Sequence, residues 1–461
     1  MSASNRFTLT QRVVRAGAWS LTSYVVSFAL RFGSNLFMTR QLVPEMFGVM
    51  AIAMMVLVGL ALFSDVGLKP SIIQSKRGHE PSFLNMAWVV QILRGVALWC
   101  FALLICLLVL LASHFELFPK DSVYEHPSLP YVLAALSLTT VIVGFESTKL
   151  IEASRNLLLG SVTRIEIAAQ VVGLIAMIAW VLIDRSIWAL VAGSIASAMV
   201  RTILSHIWLS GTPNHWRFDR EAFYEIMNFG KWIFFSSVLY FLVSNGDRMT
   251  LGWYTDAGTL GAYAIAFLIF SSIDQVLAKI IVDISFPALS EVARERPAKL
   301  TEAYYRFHGF LAAAAYFCCG LMAVSGQAII SVLYDRRYEQ AGWMLQILAL
   351  ALAIIPLRLA TQCFLVLGLA RVYFHLNTIR MLALFVALPL GFHLAGVHGA
   401  LWGIVFSYFS SAPLVIYYAS SHGLFNPRRE LLALSGLLVG IVSGEALNAV
   451  IAFIVRFVSI S

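Results

Sequence analysis

Apolar runs of about 20 to 30 residues follow one another along almost the whole chain, each cut by proline, glycine or a short charged stretch. About 20 apolar residues make a helix long enough to cross the hydrocarbon core of a bilayer, so the pattern predicts spanning helices rather than core strands. Six are expected at 14–41, 45–66, 82–112, 129–149, 157–183 and 187–209. Six more are expected at 230–254, 259–286, 303–332, 340–367, 372–394 and 398–421, with a thirteenth at 431–456. A polar linker, 210–230, separates the sets. The expected organisation is a first lobe over 1–212, a second over 213–421 and an additional C-terminal helix over 422–461.

The two sets of six read as a duplication. Phe47 to Met54 (FGVMAIAM) recurs as Leu260 to Phe267 (LGAYAIAF), and Arg155 and Arg164, nine apart, recur as Arg371 and Arg380. Gly67 to Gln74 aligns with Ile284 to Glu291, sharing a proline. With six helices each, both halves enter the membrane from the same side, a parallel repeat about an axis along the membrane normal. The fold class expected is therefore an all-α polytopic membrane protein with two parallel-repeat six-helix lobes around a central cavity, plus one extra helix.

Composition narrows the function. Of 461 residues, 60% are hydrophobic and 12% charged, against about 45–50% and 25% in soluble domains. The 32 Lys and Arg exceed the 24 Asp and Glu. With the N-terminus placed in the cytoplasm, loop cations fall on that side about three times as often as on the other, which accounts for the positive charge without nucleic acid. The five cysteines all lie in apolar runs, giving no support for a disulfide or a metal site. No GxxxxGK[ST], HExxH or GxSxG motif is present, so neither a cofactor nor common hydrolase chemistry has a foothold.

Charges inside the spans are the candidate chemistry, because each costs about 2.5–3.5 kcal/mol at a helix centre unless a partner, a polar cavity or the interface receives it. Eight cations fall in or near spans: Arg31, Arg94, Arg164, Arg201, Arg248, Lys279, Arg358 and Arg380. Arg164, Arg201 and Arg380 are near predicted ends and read as snorkelling. Ser20, Ser23, Ser27, Arg31 and Ser34, with Asn35 adjoining, draw one polar stripe on the first helix; Ser236, Tyr240, Ser244 and Arg248, with Asp247 adjoining, draw another on the seventh. An offset of 213 superposes the two stripes. Together they would line a positive cavity suited to an anion, with Arg31, Arg248, Asn35, Tyr240, Ser244 and Arg358 as substrate contacts. Candidates for coupling or gating are Asp247, Glu146, Asp274, Lys279 and Asp283; Glu146 and Arg358 would face one another across the cavity, and Lys279 would pair with Asp283.

Several short motifs carry a resemblance. Phe229-Gly230-Lys231 enters a helix that carries Asn245 and Asp247-Arg248, followed by Leu260-Gly261-Ala262-Tyr263 and Phe286-Pro287-Ala288-Leu289-Ser290. The first half has Arg40-Gln41-Leu42, Phe47-Gly48 and Ser64-Asp65-Val66-Gly67-Leu68. In this combination the chain resembles Wzx-type polysaccharide flippases of the multidrug/oligosaccharidyl-lipid/polysaccharide exporter superfamily. Twelve or fourteen helices are usual there, so a thirteenth is a departure. The resemblance implies alternating access and a substrate of undecaprenyl-pyrophosphate-linked oligosaccharide. It also implies movement from the cytoplasmic to the periplasmic leaflet of a bacterial inner membrane for exopolysaccharide, capsule or O-antigen assembly. Partners would be membrane lipids and the polysaccharide polymerase machinery. The competing readings are a small-molecule or drug exporter of the same superfamily, which would favour an acidic cavity, and a membrane polysaccharide polymerase, which would need a larger external loop than 113–128.

Overall fold

A computed structural model describes the backbone of residues 9–64, 68, 72, 75, 77–156 and 158–458, and the side chains from 25 to 453 within these except 159, 228–236 and 370. Among the described residues the regular structure is helical. The first half contains α1 (Leu9–Gln41), α2 (Pro44–Phe63), α3 (Pro81–His114), α4 (Leu129–Gly144), α5 (Lys149–Arg155), α6 (Leu159–Ile183) and α7 (Trp188–Ile207). The second contains α8 (Arg220–Tyr254), α9 (Ala257–Ile280), α10 (Phe286–Glu295), α11 (Leu300–Leu333), α12 (Gln340–Ala349), α13 (Ile355–Val366), α14 (Ala370–Phe409), α15 (Ala412–Ser421), α16 (Pro427–Ala433) and α17 (Ser435–Val458).

Helix starts follow local chemistry. Proline occupies the first turn of α2, α3 and α16, where its missing N–H is no loss. The Asp256 side chain accepts from the Thr259 N–H at 2.9 Å to cap α9.

Nine described helical segments are long and apolar enough to cross a membrane, ten when the bent pair α4 and α5 counts as one span. The α14 segment is too long for one crossing: 40 residues rise about 60 Å, twice the hydrocarbon core. It turns at Ala395 and Gly396, the latter at φ +59°, a backbone conformation open to glycine. The arms then run back along each other, so that a Cβ on Gly391 would overlap the Gly399 carbonyl and one on Gly403 the Ala387 carbonyl. The expected division into spans 372–394 and 398–421 is therefore present.

The duplication is written into the helix ends. α1 ends at Gln41 and α8 at Tyr254; α2 begins at Pro44 and α9 at Ala257; both pairs are 213 apart. α3 and α11 match at both ends with an offset of 219. Each repeat also breaks its fourth span. α4 and α5 meet at 64° across four residues, and α12 reaches α13 through a 3-10 turn, Leu350–Ile354, ahead of Pro356.

Two compact units divide the chain, Met1–Phe241 and Leu242–Ser461. The first extends past the expected boundary at 212 because the linker folds back onto it. The His215 N–H donates to Asn85 Oδ1 at 2.8 Å, and Ala222 and Ile226 are buried with Leu68, Ile72, Phe83 and Leu84. Arg77 meets Glu80, Asp219 and Glu221, while the Ser75 hydroxyl donates to Glu225 at 2.7 Å. The Ala222 N–H and the Arg77 guanidinium hold the Asp219 carboxyl below the usual carboxylate range.

In the second unit α17 packs along α11 through glycine, as spans do where lipid gives no hydrophobic drive to association. A Cβ on Gly440 would overlap the Phe317 carbonyl, and one on Gly320 the Leu437 carbonyl. His308 and Glu430, 3.1 Å apart, join α11 to α16. Gly440→Leu is expected to destabilise the protein by about 1–3 kcal/mol through overpacking, seen as a lower melting temperature in detergent; an unchanged melt would show that the helices separate without cost.

Candidate functional site

The eight cations in or near spans sort into two groups by their partners. Arg94 on α3 reaches the end of α2, donating to Ser64 Oγ at 2.9 Å and the Ala61 carbonyl at 2.6 Å. Arg201 lies 3.0 Å from Glu146, Lys279 lies 4.0 Å from Asp283, and Arg358 pairs with Asp274. Arg31, Arg164, Arg248 and Arg380 have no carboxylate within ion-pair distance among the described residues. Arg201, Lys279 and Arg358 have a carboxylate counter-charge and Arg94 is held by Ser64 and Ala61, so the second group carries the candidate anion chemistry.

Four expectations are corrected here. Glu146 and Arg358 do not form a pair, since each has its partner inside its own unit, Arg201 on α7 and Asp274 on α9. Arg201 is not a snorkelling residue, because Glu146 compensates its charge. Arg380 is also no simple snorkeller: its guanidinium stacks 3.9 Å from the Tyr408 ring centroid. Arg164 keeps to its own first turn, donating to the Gly160 carbonyl at 3.3 Å and Ser161 Oγ at 3.2 Å. The pairing expected of Lys279 and Asp283 is present, but Ile281–Ser285 form a π-helical turn, which rotates Asp283 off the regular face shared with Gln275. Pro287 explains the turn, since it has no N–H for the carbonyl four residues back.

On the first stripe, Arg31 is exposed and donates to the Ser27 carbonyl at 3.3 Å. Ser27 is buried because its hydroxyl accepts from Gln170 of α6 at 3.0 Å. Asn35 is half-buried beside it. On the second stripe, Tyr240 is 63% exposed, Ser244 half-buried, and Arg248 lies 4.3 Å from the Phe267 ring centroid while donating to Asn245 Oδ1 at 3.4 Å. Asp247 points the other way, buried, and accepts from the Tyr263 hydroxyl; its Oδ1 is buried without a hydrogen-bond partner. Arg248 is thus not neutralised by its neighbour. The side chains of Ser20, Ser23 and Ser236, and Asp65, lie outside the described residues.

Sequence reasoning missed the aromatic platforms Phe267 and Tyr408 and the polar collar around the break between α4 and α5. At that break the Gln91 amide donates to the carbonyls of Val143, Gly144 and Glu146 at 3.0–3.1 Å. His206 Nε2 donates to the Phe145 carbonyl at 2.9 Å, and Ser205 Oγ accepts from the Ser147 N–H at 2.9 Å. A broken helix at membrane depth is tolerated where its freed backbone groups are answered in this way. A glutamine among apolar residues was the only sequence signal. Gln91→Leu removes a side-chain donor shared by three carbonyls of the break, of which Val143 keeps the Glu146 N–H at 3.0 Å, and is expected to cost about 1–3 kcal/mol; a thermal melt indistinguishable from wild type would remove Gln91 from this role.

Among the described residues, no group of three or more His, Cys, Asp or Glu is placed to hold a metal ion.

Residues 37–343 match the family described as polysaccharide biosynthesis protein. The chain belongs to that family. Polysaccharide biosynthesis proteins similar to it include the lipopolysaccharide biosynthesis protein WzxC of Escherichia coli (strain K12), 21% identical over 350 residues, covering 74% of this chain and 67% of that one. The succinoglycan biosynthesis transport protein ExoT of Rhizobium meliloti (strain 1021) is 22% identical over 349 residues, with the same coverage of both chains. Among solved structures, the lipid II flippase MurJ in an inward closed conformation matches with TM-score 0.64 at 14% identity, covering 97% of this chain and 100% of that one. An inward-facing multidrug resistance MATE family transporter of the MOP superfamily matches with TM-score 0.61 at 15% identity, over 93% and 95% of the two chains. Likeness at such identities establishes the fold, the two-lobe α-helical transporter fold. With nine or ten helices long and apolar enough to cross a membrane among the described residues, this is a multi-pass membrane protein.

Proposed function

We propose that this polysaccharide biosynthesis protein moves undecaprenyl-pyrophosphate-linked oligosaccharide from the cytoplasmic to the periplasmic leaflet of a bacterial inner membrane, by alternating access of its two lobes. Surface polysaccharide assembly consumes the product, with a membrane polymerase as the next partner. The observation that carries this reading is the set of arginines without carboxylate partners, Arg31 on α1 and Arg248 on α8 foremost. A pyrophosphate diester carries about two negative charges, and guanidinium groups hold phosphates through paired, charge-assisted hydrogen bonds. A carrier of cationic drugs would favour the opposite sign. In this reading Arg31, Asn35, Tyr240, Ser244 and Arg248 receive the headgroup, and Arg358 supports the site through Asp274.

The N-terminus is assigned to the cytoplasm on the Lys and Arg bias of the loops. With the interior negative, outward passage of two negative charges gains about 4–5 kcal/mol at 100 mV. Should a proton be coupled to transport, Asp247 is its seat, with a buried oxygen that lacks a hydrogen-bond partner. Glu146, Asp274, Lys279 and Asp283 belong to ion pairs that can exchange as the lobes move. The test is transbilayer movement of an undecaprenyl-pyrophosphate oligosaccharide in proteoliposomes with a potential or a pH gradient imposed. Movement that depends on the protein supports the reading. A well-folded protein that moves none of it, while exporting a small cation, overturns it.

A further inference from the structure

In the linker between α7 and α8, Asp219 and Glu221 meet Arg77 at 3.4 and 3.2 Å and Glu225 accepts from Ser75, with Asp219 half-buried and Glu221 and Glu225 exposed. Its arginines have no carboxylate within ion-pair distance among the described residues. Arg217 is exposed, and Arg220 is exposed with its guanidinium 5.7 Å from the Tyr224 ring centroid. Beside them stand large exposed aromatic groups, Trp216 at 65%, Phe218 at 63% and Tyr224 at 58%. Such residues are ordinarily costly to leave in water, and aromatic side chains together with arginine are what membrane–water interfaces collect.

The segment also lies at the end of α3 that precedes its exposed apolar surface. It docks against Asn85 and Met86 at the start of α3, whereas the exposed apolar surface of that helix begins at Leu93. Seven or eight residues of helix place the linker about 10–12 Å from the hydrocarbon edge. The headgroup layer itself is about 5–8 Å thick, and an arginine side chain bridges most of the remainder. We propose that this face, Trp216, Arg217, Phe218, Arg220 and Tyr224, binds the headgroups of anionic phospholipids in the leaflet on the linker's side. It thereby anchors the inter-lobe connection to the membrane surface. The proposal is independent of what the protein transports.

Full-length protein in nanodiscs tests it by tryptophan quenching with brominated phosphatidylglycerol or brominated phosphatidylcholine at equal mole fraction, comparing wild type with Trp216→Phe. A component lost in Trp216→Phe is expected, quenched more strongly by the anionic lipid and diminished by high salt. Replacing Arg217 and Arg220 together by Gln is expected to weaken the anionic preference by about 25-fold, at about fivefold per arginine. Equal quenching by the two lipids, or no component assignable to Trp216, overturns the proposal. A preference that survives the double replacement does so too.

Discussion

Arg248→Ala is expected to slow lipid-linked oligosaccharide transport by about 10- to 150-fold while leaving membrane insertion and elution as a single species unchanged. The guanidinium rests on Phe267 and is not neutralised by Asp247, whose carboxylate is taken by Tyr263. Its removal deletes a cation without stranding an acid, so the fold has little reason to suffer. Losing one charge-assisted hydrogen bond to a phosphate costs about 1.5–3 kcal/mol, or about 10- to 150-fold in transport at limiting substrate. Arg248→Lys should restore part of the rate, since ammonium keeps the charge but loses the planar fork. Arg31→Ala should behave alike, for Arg31 also has no carboxylate within ion-pair distance among the described residues. Transport is read as movement of the labelled lipid in proteoliposomes with matched protein content. Full activity in both alanine variants would remove these arginines from the substrate path.

Asp274→Ala should fail in a different way. Asp274 and Arg358 have side chains 16% and 29% exposed, and removing the acid leaves a largely buried guanidinium without its counter-charge. Breaking such a pair costs about 3–5 kcal/mol, whereas replacing both members with apolar residues of similar size is often neutral. The single variant is therefore expected to melt well below wild type in detergent, and Asp274→Leu combined with Arg358→Met to recover most of the loss. A double variant as unstable as the single one would show that packing, not charge, dominates there. The contrast with Arg248 follows from one distinction, whether a cation has an acid at home.

Much of the fold was legible because span length and duplication are properties of local sequence. Thirteen apolar runs and an offset of 213 need no knowledge of which helix touches which, whereas the break ahead of Pro356 inside the expected span 340–367 went unread. Arg31 and Arg248 were legible for the same reason, as charges where hydrocarbon was expected. Pairing was not legible. Glu146 finds Arg201, 55 positions away, and Asp274 finds Arg358, 84 away, because helix register and rotation decide those meetings. Reasoning from the repeat set Glu146 against Arg358, and each instead closed its charge within its own unit. The aromatic beds under Arg248 and Arg380 escaped for the same physical reason: a phenylalanine or tyrosine in a span looks like any other apolar residue until the helix beside it is known. The boundary near 212 moved to Phe241 because the linker's acids belong with Arg77, a contact across more than 140 positions.

The close packing of α17 on α11 gives the extra helix a practical use. With Gly436, Gly440 and Gly444 set against α11 and Asn448 donating to the Val324 carbonyl, that side of the helix is occupied along most of its length. Its far side, by contrast, offers Leu438, Val442 and Val450, all more than half exposed. A spectroscopic label at Val442 would disturb no contact of the transport machinery, and its distance distribution to a label elsewhere would follow the second unit as a single moving part.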